Sequence, residues 1–155
     1  MKGEIRGSFW LWVSFVTWVV LAGTAPAGAE VREANAGRGG ETLDLNSLAA
    51  PGRITMVEFY SPYCPPCLSL APLLEQLAAR RSDLSIRKVN INRPEIKGID
   101  WKSPLVRQYS IRSVPYFVIF DPKGKVAAHG KAATRQLEDW LTEARLLNMG
   151  EKGKK

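Results

Sequence analysis

The chain has 155 residues, a length that predicts one ordinary domain rather than several. Its composition, 45% hydrophobic and 24% charged, belongs to a chain with a core to bury and not to a disordered one. Two cysteines and one histidine are too few for a disulfide-framed miniprotein or a four-ligand structural zinc site, and the net charge of +7 taken alone permits nucleic acid, a membrane surface or an acidic partner.

Lys2 and Arg6 open a short basic region, an apolar run follows from Phe9 to Ala22, and Ala25-Pro26-Ala27-Gly28-Ala29 closes it. A basic start, an apolar stretch shorter than the ~20 residues that cross a bilayer and a small-residue exit describe a secretory signal peptide over residues 1–29, cleaved after Ala29. The alternative is an uncleaved anchor. Both readings export the domain, to the periplasm or the exterior. Removing the segment leaves a charge of +6 and takes Trp10, Trp12 and Trp18 with it, so only Trp101 and Trp140 belong to the fold. Export also removes nucleic acid as an expected partner, and the remaining cations read as a solvated surface.

Residues 30–41 are rich in Ala, Gly and charge without an apolar period and read as a flexible lead-in to a domain over 42–149, with a basic tail at 150–155. Ile54 to Tyr60 is a β-branched and aromatic run that suits a buried strand. From Pro65 to about Arg81, Leu70, Ala71, Leu74, Leu77 and Ala78 recur at helical spacing, with Pro72 inside to bend the helix. Leu84 to Asn90 alternates as a second strand, and an irregular stretch runs from Asn92 to Ser103. Ser103-Pro104 then caps a short helix to Tyr109. Tyr116 to Phe120 is a third strand, Asp121-Pro122-Lys123-Gly124 a turn, and Val126 to Ala128 a fourth strand. A last amphipathic helix from near Thr134 places Leu137, Trp140, Leu141, Ala144 and Leu147 on one face.

Strand–helix alternation followed by a hairpin and a closing helix implies an α/β fold, a mixed central sheet sandwiched between helices. Active sites in such folds lie at the carboxyl ends of the strands. Cys64-Pro65-Pro66-Cys67 occupies one such turn, between the first strong strand and its helix. Two thiols three residues apart across a first helical turn can close a disulfide with little backbone movement. The helix amino terminus favours a thiolate at Cys64. This predicts an exposed nucleophile, Cys64, and a buried resolving partner, Cys67. A metal site would need more ligands than His129 can add, while a purely structural disulfide would leave the helix-start placement unexplained.

On these residues, 54–147 resembles the thioredoxin family, specifically its exported thiol-disulfide oxidoreductases with a Cys-Pro-Pro-Cys site. Val114-Pro115 matches the family's cis-proline, which packs against the disulfide and presents backbone to substrate. Pro72 matches the kink of the active-site helix. Glu58, six residues before Cys64, falls where many thioredoxins carry a buried acid that takes the proton of the resolving cysteine. Without the resemblance, Pro115 reads simply as a trans proline at a strand start, and the family match alone favours cis. Glu58 speaks for itself as well, because an ionisable group inside an apolar run is costly unless it has a purpose.

The resemblance implies a thioredoxin fold, catalysis by Cys64, Cys67, Glu58 and Pro115, and substrate contacts at Tyr63, Pro65, Pro66 and Val114. It implies no metal and no dissolved cofactor, since the dithiol is the redox centre. Expected partners are protein disulfides, among them apocytochromes c awaiting haem, and a membrane or thiol-protein electron donor, with the chain acting as a monomer. Two departures from the commonest pattern bear on direction: Tyr63 stands where tryptophan is usual, and Pro65 replaces the glycine of Cys-Gly-Pro-Cys. Prolines at both intervening positions remove two N–H groups from the reach of the Cys64 sulfur, which favours a reductant. A disulfide-forming oxidase or isomerase, and a non-catalytic binding module, remain as alternatives. Trp101 reads evenly as part of a docking surface or as a cap on the core, Trp140 as core, and His129 as a residue at the sheet edge or in solvent.

Overall fold

The computed structural model describes residues 30–152, with side chains as far as Arg145. The signal-peptide segment 1–29, the side chain of Leu147 and the last three residues of the basic tail lie outside the described residues. In chain order the elements are β1 (Val31–Glu33), a 3-10 turn (Leu45–Leu48), β2 (Ile54–Tyr60), α1 (Pro65–Arg80), β3 (Leu84–Asn90), α2 (Pro104–Tyr109), β4 (Tyr116–Phe120), β5 (Val126–His129) and α3 (Lys131–Lys152). The strands form one sheet in the order β1-β3-β2-β4-β5. β1, β3 and β2 run parallel, whereas β4 is antiparallel to β2 and β5 to β4. This is the thioredoxin fold, a mixed sheet with helices on its faces.

Period-two alternation sorts the strand side chains between two layers. Met56, Ile86, Phe117 and Ile119 pack under Leu74, Leu77 and Ala78 of α1 and Leu137 and Trp140 of α3. Val57, Phe59, Val89, Val118 and Phe120 face the other way, against Leu105 and Val106 of α2. β2 is therefore buried on both faces, which is why it reads as a nearly continuous apolar run. The one carboxylic acid in that run, Glu58, falls on the α1 face by alternation with Met56.

Two readings change. Residues 31–33 are not lead-in but an edge strand, each pairing in register with β3: Val31 with Ile86, Arg32 with Arg87 and Glu33 with Lys88. Three residues with a single neighbouring strand and one half-buried side chain carry no apolar period to reveal them. The segment after them is also tied down, since Gly39 and Gly40 lie so close to the end of β3 that a Cβ at either would meet the backbone of Asn92, Ile91 or Arg93. α3 begins at Lys131, not near Thr134, because Gly130 adopts a left-handed φ of 54° and its carbonyl accepts the Thr134 N–H at 2.9 Å. The helix also continues past residue 149 into the basic tail. The Ser103-Pro104 start of α2 is as expected: Ser103 Oγ accepts the N–H of Val106 at 3.2 Å and Pro104 fills the first turn.

Candidate active site

β2 ends at Tyr60, and the chain turns through Ser61-Pro62-Tyr63 into α1. Ser61 is buried, and its Oγ accepts the N–H of Tyr63 at 3.1 Å. Cys64 is the N-cap of α1 and Pro65 and Pro66 occupy its first positions, where their missing N–H groups have no intrahelical partner to lose. Cys64 and Cys67 are joined as a disulfide, with Cα atoms 5.3 Å apart. The one amide of this first turn that reaches the Cys64 Sγ is that of Cys67, which donates to it at 3.3 Å. Both prolines are exposed, and Tyr63 is 46% exposed beside the disulfide.

The Val114–Pro115 peptide is cis, and the Val114 carbonyl oxygen lies 3.6 Å from the Cys64 Sγ. Four of the residues singled out from the sequence, Cys64, Cys67, Val114 and Pro115, thus meet at the carboxyl end of β2, although Val114 lies 50 positions beyond Cys64. Cys67 is fully buried, as expected. Cys64 is not exposed as expected: in the disulfide it is 2% exposed. Its sulfur is covered on one side by the Val114–Pro115 turn and on the other by the bond to Cys67, a covering that spacing in the sequence does not reveal.

Glu58 is fully buried, and neither carboxyl oxygen has a hydrogen-bond partner. Burial pushes its carboxyl up to about 7, against an opposing pull from Lys88. The Lys88 Nζ lies 3.8 Å from Glu58 Oε2 and 4.2 Å from the centre of the Tyr60 ring. The Tyr60 hydroxyl in turn donates to Glu33 Oε1 at 2.9 Å. Lys88, Tyr60 and Glu33 were not singled out from the sequence. The available signal for Lys88 was its place at period two after Leu84 and Ile86, a cation on the face that those apolar residues turn to the core.

The stretch from Asn92 to Ser103 is irregular, as expected, but closed on itself. The Arg93 guanidinium grips the Asp100 carboxylate through two bonds of 2.7 and 3.1 Å and holds that carboxyl below its ordinary range. Pro94 and Ile96 of this loop, with Pro62 and Tyr63, line a cleft of about 180 Å³ beside the cysteines. Trp101 is 43% exposed and does not cap the core, while Trp140 is buried within it. His129, exposed at the end of β5, places its Nδ1 3.3 Å from the Tyr116 hydroxyl. Among the described residues no three His, Cys, Asp or Glu side chains are grouped to hold a metal ion.

Comparison with known proteins bears on the same residues. The family profile described as Thioredoxin matches residues 45–143. A thioredoxin-like protein of Fusarium culmorum is 30% identical over 95 residues, which cover 59% of this chain and 72% of that protein. A thioredoxin of Mycolicibacterium smegmatis is 33% identical over 92 residues, covering 56% of this chain and 77% of its own. Thioredoxin f from spinach chloroplast, in its short form, shares the fold at a TM-score of 0.53 and 24% identity, over 78% of this chain and 97% of that one.

Proposed function

The chain belongs to the thioredoxin family, whose members are thiol-disulfide oxidoreductases that need no cofactor beyond their redox-active cysteines, and we propose that this one is an exported reductant of protein disulfides. Cys64 as thiolate attacks one sulfur of a substrate disulfide. The Cys64–substrate bond forms as the substrate S–S bond breaks, and the first substrate thiol leaves. Glu58 takes the proton of Cys67, whose thiolate attacks the Cys64 sulfur, closes the Cys64–Cys67 disulfide and releases the second thiol. Two electrons have then passed from the dithiol to the substrate. Val114 and Pro115 offer backbone beside Cys64 to an extended substrate segment, and Tyr63, Pro65 and Pro66 form the exposed rim it meets.

The direction of electron flow rests on one observation. A single amide, that of Cys67, reaches the Cys64 sulfur, because Pro65 and Pro66 have none to give. A thiolate with so little hydrogen bonding is a poor leaving group, so the dithiol is the less favoured form and yields its electrons readily. Equilibration with glutathione should place the reduction potential nearer the thioredoxin end, about −270 mV, than the DsbA end, about −120 mV. A value at the oxidising end would reverse the assignment to a disulfide-forming enzyme.

Export is supported by the basic, apolar and small-residue pattern of residues 1–29, either cleaved after Ala29 or kept as an anchor. In such a compartment the oxidised protein is recharged by a membrane or thiol-protein dithiol donor. The substrates proposed are mispaired exported proteins and apocytochromes c, met by a monomer.

A further inference from the structure

β1, β3 and β2 lay three ionisable residues side by side: Glu33 registers with Lys88, and Lys88 with Glu58. The central lysine does not bond directly to either acid. Its ammonium stands 3.8 Å from Glu58 Oε2, beyond hydrogen-bond reach, and 4.2 Å from the Tyr60 ring centre. Glu33, on the exposed edge, engages that ring instead of the lysine, accepting the phenol's hydrogen bond at 2.9 Å. A phenol that donates to a carboxylate has a more electron-rich ring, and an electron-rich ring holds a cation over its face more strongly.

Lys88 is therefore drawn two ways, toward the Tyr60 face and toward the buried carboxyl. Among the described residues no other charge from the surrounding elements joins the contest. β4 offers Phe117 opposite Glu58. α1 contributes Leu74, Leu77 and Ala78, α3 contributes Leu137 and Trp140, and Cys67 at the start of α1 is held in the disulfide and carries no proton to exchange.

We propose that Glu33 is a positioning residue for the redox centre: through the Tyr60 phenol it draws the Lys88 ammonium away from Glu58 and so sets the pH at which Glu58 takes up a proton. The inference rests on the reading of Glu58 as the proton acceptor and adds to it the device that tunes it. The edge strand, three residues long, is then part of the site.

The test is a titration of the Glu58 carboxyl carbon by NMR in the oxidised full chain, which needs no turnover. Glu33→Ala frees Lys88 to close on Glu58, so the midpoint should fall by roughly half a pH unit or more. Tyr60→Phe, which keeps the ring but cuts the tether, should move it the same way by less. Lys88→Met should raise it by about one pH unit. In the Lys88→Met background, Glu33→Ala should add no further shift. An unchanged or raised midpoint in Glu33→Ala would overturn the proposal, as would no shift in Tyr60→Phe. A Glu33→Ala shift undiminished without Lys88 would also overturn it, since the Glu33 charge would then act directly. If the midpoints move as stated but the pH profile of turnover does not follow them, positioning stands and the proton-acceptor role of Glu58 fails.

Discussion

At pH 8, Glu58→Gln should be more stable to urea than the parent protein by on the order of 3 kcal/mol, while disulfide turnover near neutrality falls by about 10²-fold. The Glu58 carboxyl is pushed from an ordinary value of 4.5 to about 7 in the fold. Below about 4.5 both folded and unfolded chains hold the proton, and Glu58 sets no pH dependence. Between those values the folded chain keeps a proton that the unfolded chain has released, so stability falls as pH rises. Above about 7 the fold carries the whole burden of a buried carboxylate with no hydrogen-bond partner and one ammonium 3.8 Å away. Glutamine has the shape of the protonated acid and never ionises, so its advantage should be present at pH 8 and fade toward pH 5. Urea unfolding at the two pH values checks this, and an equal difference at both would mean that the fold does not raise the Glu58 carboxyl above its ordinary value. A gain in stability joined to a loss of rate is the pattern of a group kept at the site for its chemistry.

Cys67→Ser should separate the two halves of the exchange. With the resolving sulfur gone, the Cys64 thiolate still attacks a disulfide, but the mixed disulfide it forms has no internal route of escape. Incubation with oxidised insulin should therefore yield a covalent adduct that persists until dithiothreitol is added, visible by mass on a non-reducing gel, with turnover lower by roughly 10³-fold or more. The asymmetry follows from position. Cys64 caps the helix beside the Val114–Pro115 turn with one amide on its sulfur, whereas Cys67 is sealed one turn inside. Adducts forming instead through Cys67 in Cys64→Ser would exchange the two roles.

Much of this fold is legible because its elements have strong local signatures. β2 and β4 are apolar runs too short for helices, α1 has apolar residues at three- and four-residue steps behind a Cys-Pro-Pro-Cys cap, and Ser103-Pro104 announces α2. β1 escapes because Val31-Arg32-Glu33 gains its structure from the register of β3 and not from its own pattern. The start of α3 is displaced because Gly130, a residue that discourages helix, uses its left-handed backbone to launch one. The site divides in the same way. Cys64 and Cys67 lie three residues apart and Glu58 stands out as a charge in an apolar run, so the cysteine pair and the acid are both readable. The covering of Cys64 by Val114 spans 50 positions, and the Glu33–Tyr60–Lys88 set exists only once three strands are aligned.

Reduction of insulin disulfides by dithiothreitol, followed as turbidity, with the native protein and with Cys64→Ser side by side, tests the catalytic role of the cysteines most directly. The native protein should accelerate the reaction catalytically, and Cys64→Ser, folded by the same circular-dichroism spectrum, should leave it at the rate of dithiothreitol alone. Equal acceleration by both would contradict a catalytic role for the cysteines.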